Sequence, residues 1–159
     1  MLIKRAASYF ITTPIYYVNS KPHIGHLYSS LLADTIARWQ RVKQGSNMNL
    51  IFATGTDEHG LKIERAASNA QLTPLEFCDR VSATFRDMFD RFSIEYSHYI
   101  RTTQKAHQQA VEHVWQELMK KNLIYPGNYQ GWYSVQEESF VNEDEVRIRL
   151  VFSKMQLSH

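Results

Sequence analysis

The sequence predicts an α/β fold built on a parallel sheet, and three observations carry that expectation. An apolar run, Tyr9-Phe10-Ile11, stops at Pro14, which cannot donate a ladder hydrogen bond in a central strand. Leu27, Leu31, Leu32, Ile36, Trp39 and Val42 then follow at helical spacing, with Gly45 where a C-terminal cap belongs. Residues 49–53 (Asn-Leu-Ile-Phe-Ala) form a second short apolar run, as a buried parallel strand does. Strand, helix, strand makes a βαβ unit with an expected right-handed crossover. The carboxyl ends of its strands share one sheet edge, so the loops at 14–26 and 54–60 are expected to meet there.

Later elements extend the pattern. Residues 61–69 suit a short helix. Thr73-Pro74-Leu75-Glu76 then supplies a cap, an N1 proline and a capping-box glutamate. Cys78, Val81, Phe85, Met88 and Phe92 make a long amphipathic helix whose stripe is expected to be core, with Cys78 as a small buried hydrophobe. Residues 99–103 read as another strand. The next helix is expected to bury Ala110, Val114 and Leu118 and to end in solvated Lys120 and Lys121. From Ile124 onward, Tyr, Gly, Trp and alternating residues suggest short antiparallel strands, which places a domain boundary near Leu123.

Composition narrows the classes. With 159 residues and 43% hydrophobic content the chain can build a packed core, which argues against wholesale disorder. A net charge of +2 neither demands nor excludes a nucleic-acid partner. The single cysteine, Cys78, permits no internal disulfide and no cysteine-based zinc site. No apolar run is long enough to span a membrane. Lys4, Arg5 and Ser8 without an acid hint at a transit peptide, but the stretch is too short for one.

The chemistry concentrates in His23-Ile24-Gly25-His26. A strand feeding a helix N-terminus is where α/β folds hold phosphorylated ligands. His23 and His26 share one face of a first helical turn, and Gly25 lets the backbone approach a ligand. Imidazoles there suit phosphate oxygens and, if charged, a transition state at phosphorus. Alone, such a pair is also ordinary surface chemistry. Asp57 and Glu58 fit helix N-caps as well as ligand contacts. His59 is as easily structural, and Tyr16 as easily core.

The tetrad resembles the H-I-G-H signature of class I aminoacyl-tRNA synthetases. The run Thr12-Thr13-Pro14-Ile15-Tyr16-Tyr17-Val18-Asn19, the loop Thr54-Gly55-Thr56-Asp57-Glu58-His59-Gly60, Ile100-Arg101-Thr102-Thr103 and Gly131-Trp132-Tyr133 are similar to the methionyl-tRNA synthetase family. The resemblance covers about residues 8–145. It implies a Rossmann-like parallel sheet, the N-terminal part of the catalytic domain (1–123), followed by the beginning of an inserted connective-peptide domain (124–159). The implied activity is methionine–tRNA ligation: methionine is activated by ATP with Mg2+, then transferred to tRNA(Met).

By the same resemblance, His23 and His26 are catalytic and hold the triphosphate. Asn19 and Gly25 complete the ATP contacts, Asp57 pairs with the amino group of methionine, and Ile15 and Tyr17 line its side-chain pocket. Ser134 and Gln136-Glu137-Glu138 stand where many members carry zinc-binding cysteines, so a zinc-free mitochondrial or bacterial subtype is implied. The expected location is the mitochondrial matrix, or the cytoplasm of a bacterium. No K-M-S-K-S loop precedes His159; Phe152-Ser153-Lys154-Met155 shares its letters but not its order, and the tail from Val146 is atypical. The expected product is therefore an incomplete and inactive portion. Alternatives are a non-catalytic nucleotide-binding or regulatory fragment and a small H-I-G-H nucleotidyltransferase. Oligomeric state is not legible.

Overall fold

The computed structural model describes residues 8–44, 49–134, 137–142 and 144. The expected cap at Gly45, Gln136 and the tail from Val146 lie outside the described residues. The elements run β1 (Ser8–Thr12), β2 (Tyr16–Tyr17), α1 (Ile24–Gln44), β3 (Asn49–Asp57), α2 (Leu61–Asn69), α3 (Pro74–Arg91), β4 (His98–Arg101), α4 (Lys105–Lys120), β5 (Trp132–Ser134) and β6 (Ser139–Val141).

β3 is the axis of a four-stranded parallel sheet. Ala53 pairs with both Thr12 and His98, and Thr56 pairs with both Tyr16 and Arg101. β1 and β2 therefore flank one side of β3, interrupted at Pro14, and β4 flanks the other. This two-sided pairing explains a correction to the expected loop at 54–60: Thr54 to Asp57 are strand, and the loop proper is only Glu58 to Gly60. Gly55 lets β4 approach, since a Cβ there would lie 1.8 Å from the Ile100 carbonyl oxygen. That atom is backbone in a paired strand and cannot step aside. Gly55→Ala is expected to cost at least about 1–3 kcal/mol, the usual range for overpacking. A fall in the urea midpoint would show it, whereas an unchanged midpoint would contradict this β3–β4 packing.

The core lies where α1 and α3 meet the sheet, around Phe52, Phe85, Phe89, Ile63, Val18 and Tyr16. α3 starts as its sequence dictates: the Glu76 backbone N–H donates to Thr73 Oγ1 (3.3 Å) and the Thr73 N–H to the Glu76 carboxylate (2.9 Å). Such a cap contributes about 0.5–2 kcal/mol. Its inner face keeps Cys78, Val81 and Phe85 of the expected stripe and adds Ser82, while Met88 is half-buried. Phe89 is fully buried, whereas Phe92 falls on the C-cap and is exposed.

α1 differs more. Its buried face is Leu27, Ser30, Ala33, Asp34 and Ala37, of which Ser30, Ala33 and Ala37 are small groups that allow close packing. Leu31, Leu32, Ile36, Trp39 and Val42, whose spacing announced the helix, are on its exposed side. α4 buries no residue; Ala110 and Val114 are exposed and Leu118 is half-buried, contrary to the expected core face. β5 and β6 form an antiparallel hairpin, as the change of texture after Ile124 suggested.

Candidate functional site

The site grows from the carboxyl edge of the sheet. After Pro14 the chain rejoins β3 as β2, with Val18 N–H donating to the Asp57 carbonyl (3.3 Å). Tyr16 points into the core, stacked on Phe85 at 5.6 Å between ring centroids. Its hydroxyl meets Ser30 Oγ (2.8 Å) and donates to the His26 carbonyl (3.2 Å), fixing the first turn of α1 against β2. Tyr16 is thus core and also holds His26 in place, its ring edge-on to the imidazole at 4.9 Å.

The two imidazoles stack, with centroids 3.8 Å apart and planes 28° apart. The Gly25 N–H donates to His23 Nδ1 and the His23 N–H to His26 Nδ1, each at 3.1 Å. Both Nδ1 atoms are therefore acceptors, which assigns the ring proton to Nε2 in each neutral imidazole. Burial, and then the neighbouring His23, push the His26 pKa below its ordinary value. With its Nδ1 engaged by a backbone N–H, each ring is left with Nε2 to present to a ligand. Gly25 also has a more local reason than ligand approach, since a Cβ there would lie 2.9 Å from the His23 ring.

The facing wall is the end of β3. Asp57 is its last residue, half-buried and in register with Tyr17. No hydrogen bond or ion pair holds its carboxylate among the described residues. Neither Asp57 nor Glu58 caps α2, whose N-cap is Gly60 without a side-chain bond. Glu58 is instead a buried anion. Its carboxylate accepts from Thr56 Oγ1 (2.6 Å), Arg101 Nε (2.7 Å) and the Thr103 hydroxyl. Arg101 reaches on to Asp79 (2.6 Å). Burial alone raises a carboxyl pKa, but these donors outweigh it and hold Glu58 below its ordinary value. The Glu58 N–H donates to Thr102 Oγ1 (3.0 Å), which also meets His59 Nδ1 (2.9 Å). Strand-end residues of β4 thereby fix the backbone that carries Asp57.

Tyr17 closes the edge. Its hydroxyl donates to Glu138 Oε2 (3.1 Å), and burial together with that carboxylate pushes its pKa up to about 12. Among the expected residues, the structure brings Tyr17 and Asp57 side by side and joins His23, Gly25 and His26 in one turn. Ile15 and Asn19 lie on the exposed segments just before and just after β2. The residues not foreseen are Glu58, Arg101 and Thr102 as supports, and Glu138. The Ile100-Arg101-Thr102-Thr103 stretch was a visible signal for the supports; nothing local marks Glu138, which meets a residue 121 positions away. Among the described residues no group of three or more His, Cys, Asp or Glu is placed to hold a metal ion, and no helix is long and apolar enough to cross a membrane.

Residues 9–151 match the profile of the tRNA synthetases class I (M). The mitochondrial methionine–tRNA ligase of Takifugu rubripes is 52% identical over 143 residues, covering 90% of this chain and 24% of that protein. The methionine–tRNA ligase of Rickettsia conorii is 46% identical over 139 residues, covering 87% of this chain and 27% of that protein. Mycobacterium tuberculosis methionyl-tRNA synthetase, solved in complex with methionyl-adenylate, superposes with a TM-score of 0.80 at 39% identity, over 87% of this chain and 27% of that one. The chain thus spans about a quarter of the length of the curated relatives it matches. A paired-imidazole turn facing an acidic strand end, on a parallel sheet matched along nearly its whole length, makes this chain a member of the class I tRNA synthetases of the methionyl group.

Proposed function

We propose that this segment contributes the ATP-gripping turn and part of the amino-acid pocket of a methionine–tRNA ligase, with residues 1–123 in the catalytic domain and 124–159 opening an inserted one. The observation that carries the reading is the stacked histidine pair with both Nδ1 atoms occupied by backbone N–H groups. It supports a role in which two Nε2–H donors contact phosphate oxygens without needing a charge. Gly25 and Asn19 would complete the ATP contacts. Asp57, with no competing partner among the described residues, would receive the ammonium group of methionine. Ile15 and the Tyr17 ring would wall its thioether, a polarisable group that favours aromatic neighbours.

In this mechanism a methionine carboxylate oxygen attacks the α-phosphorus of ATP in line. The new P–O bond forms as the bond to pyrophosphate breaks, giving methionyl-adenylate and pyrophosphate. The histidine donors gain strength as charge develops on the phosphate oxygens. Transfer to the terminal ribose of tRNA(Met) follows. The imidazole nitrogens are not the oxygen ligands Mg2+ takes, so any Mg2+ would enter with the nucleotide phosphates. Similarity to mitochondrial relatives supports the mitochondrial matrix as location, and the Rickettsia match keeps a bacterial cytoplasm as the alternative.

The test uses a full-length enzyme in which this segment replaces the matching part of the Takifugu rubripes protein. His23→Asn or His26→Asn is expected to lower kcat for methionine-dependent pyrophosphate exchange by about 10²–10³, the cost of one preorganised donor, with a smaller change in the KM for ATP. A change confined to KM would show that the histidines bind ground-state ATP and do nothing selective.

A further inference from the structure

α2 begins without a cap of its own. Its N-cap is Gly60, at φ 116°, with no side-chain hydrogen bond. The N-terminal N–H groups of a helix need partners and carry partial positive charge, so an anion belongs there. It is delivered from far along the chain. Glu138, in the turn between β5 and β6, accepts from the Lys62 N–H through Oε1 (2.9 Å) and from the Tyr17 hydroxyl through Oε2 (3.1 Å). One carboxylate therefore joins three elements: the hairpin, the start of α2 and β2.

Two further observations mark this as a built contact. Glu138 has φ 52°, a left-handed conformation uncommon for a residue with a Cβ, so the turn holds it in a costly geometry. At Gly60 a Cβ would lie 2.5 Å from the Tyr17 hydroxyl and 3.0 Å from Glu138 Oε1, so only glycine lets the three groups close. The consequence is mechanical. Tyr17 is fixed at its backbone by pairing with Asp57 and at its hydroxyl by Glu138, so its ring has little freedom to turn. The same carboxylate seats the N-terminus of α2, which starts four residues after Asp57 ends β3.

We propose that Glu138 is a positioning residue for the amino-acid subsite: from the inserted hairpin it fixes the Tyr17 ring and the start of α2, and so sets the pocket between Tyr17 and Asp57 that receives methionine. This rests on the methionine pocket proposed above. Glu138 itself touches no substrate in this scheme, and the histidine turn does not depend on it.

The test measures equilibrium binding of L-methionine and, separately, of ATP to the full-length enzyme that carries this segment and to its Glu138→Ala, Glu138→Gln and Tyr17→Phe variants. Glu138→Ala is expected to weaken methionine binding roughly tenfold, about the value of a hydrogen bond to a charged group, and to leave ATP affinity within about twofold. Glu138→Gln keeps an acceptor for the Lys62 N–H and is expected to fall between Glu138→Ala and the parent. In a Tyr17→Phe background Glu138→Ala should cost less than it does in the parent, because one of its two contacts is already gone. Unchanged methionine affinity, an equal loss for both ligands, or full additivity with Tyr17→Phe would overturn the inference. Should Glu138→Ala fail to fold, Glu138→Gln decides on the same selective loss of methionine. A full-length parent that binds ATP but no methionine would contradict the pocket itself, a different failure from a parent that binds methionine and a variant that binds it equally well.

Discussion

Arg101→Met is expected to destabilise the fold by about 3–5 kcal/mol, because it leaves Glu58 as a buried anion without its cation. The Glu58 side chain is 0% exposed and that of Arg101 only 17%, so water screens this pair far less than the other ion pairs. Surface pairs such as Arg91–Asp87, at 73% and 58% exposure, contribute about 0–1 kcal/mol by comparison. Glu58→Gln should cost less than Arg101→Met, since the cation it leaves behind is partly exposed and keeps Asp79 as a partner. The double variant Glu58→Leu/Arg101→Met should regain part of the loss. Acid gives a second view. The folded state holds the Glu58 pKa below its ordinary 4.5, so the unfolded chain binds the proton first as pH falls. The contribution is complete above that value and is lost on descending through the folded pKa. Urea midpoints should drop more steeply below about pH 4.5 in the parent than in Glu58→Gln. Parallel curves would remove Glu58 as the acid-sensitive group.

Asp57→Ala, in the full-length enzyme described above, is expected to reduce methionine activation by 10³ or more, roughly 4 kcal/mol at about 1.4 kcal/mol per decade. The residue sits at the end of β3, its backbone held by Val18 and its side chain without a hydrogen-bond or ion-pair partner among the described residues. A half-buried carboxylate left in that state gains most when an ammonium group arrives. Because no part of the fold leans on the side chain, the thermal midpoint should stay close to the parent's. Exchange within tenfold of the parent would remove Asp57 from the site. A large fall in midpoint would instead assign it to the scaffold, beside Glu58.

Local chemistry made most of this site legible. Pro14, the two strand-like runs and the helical spacing between them placed both loops on one sheet edge, and Thr73 with Glu76 announced the start of α3. The sequence was least informative wherever the outcome depended on which partner each face finds. The large apolar residues of α1 signal a helix by their period, yet Ser30, Ala33 and Ala37 face the sheet, because close packing favours small groups there. α4 shows the same limit: its period is helical, but the described elements do not cover Val114 or Trp115. Periodicity reports that an element has two faces and leaves open which is buried. In the site, His23 and His26 were legible as a pair, but which ring nitrogen each presents was not, since that follows from backbone N–H groups whose direction only the folded turn fixes. Glu138 was beyond reach for a similar reason, being brought to Tyr17 by the path of the hairpin.

The activity proposed for this sheet edge, activation of methionine with ATP, is read at its own step by methionine-dependent ATP–pyrophosphate exchange. The measurement compares L-methionine with L-leucine and L-isoleucine, using the full-length enzyme that carries this segment and its His26→Asn variant. Exchange that requires methionine, is at background with the branched amino acids and falls by about 10²–10³ in the variant is the predicted result. Exchange supported equally by another amino acid, or unaffected by His26→Asn, would contradict it.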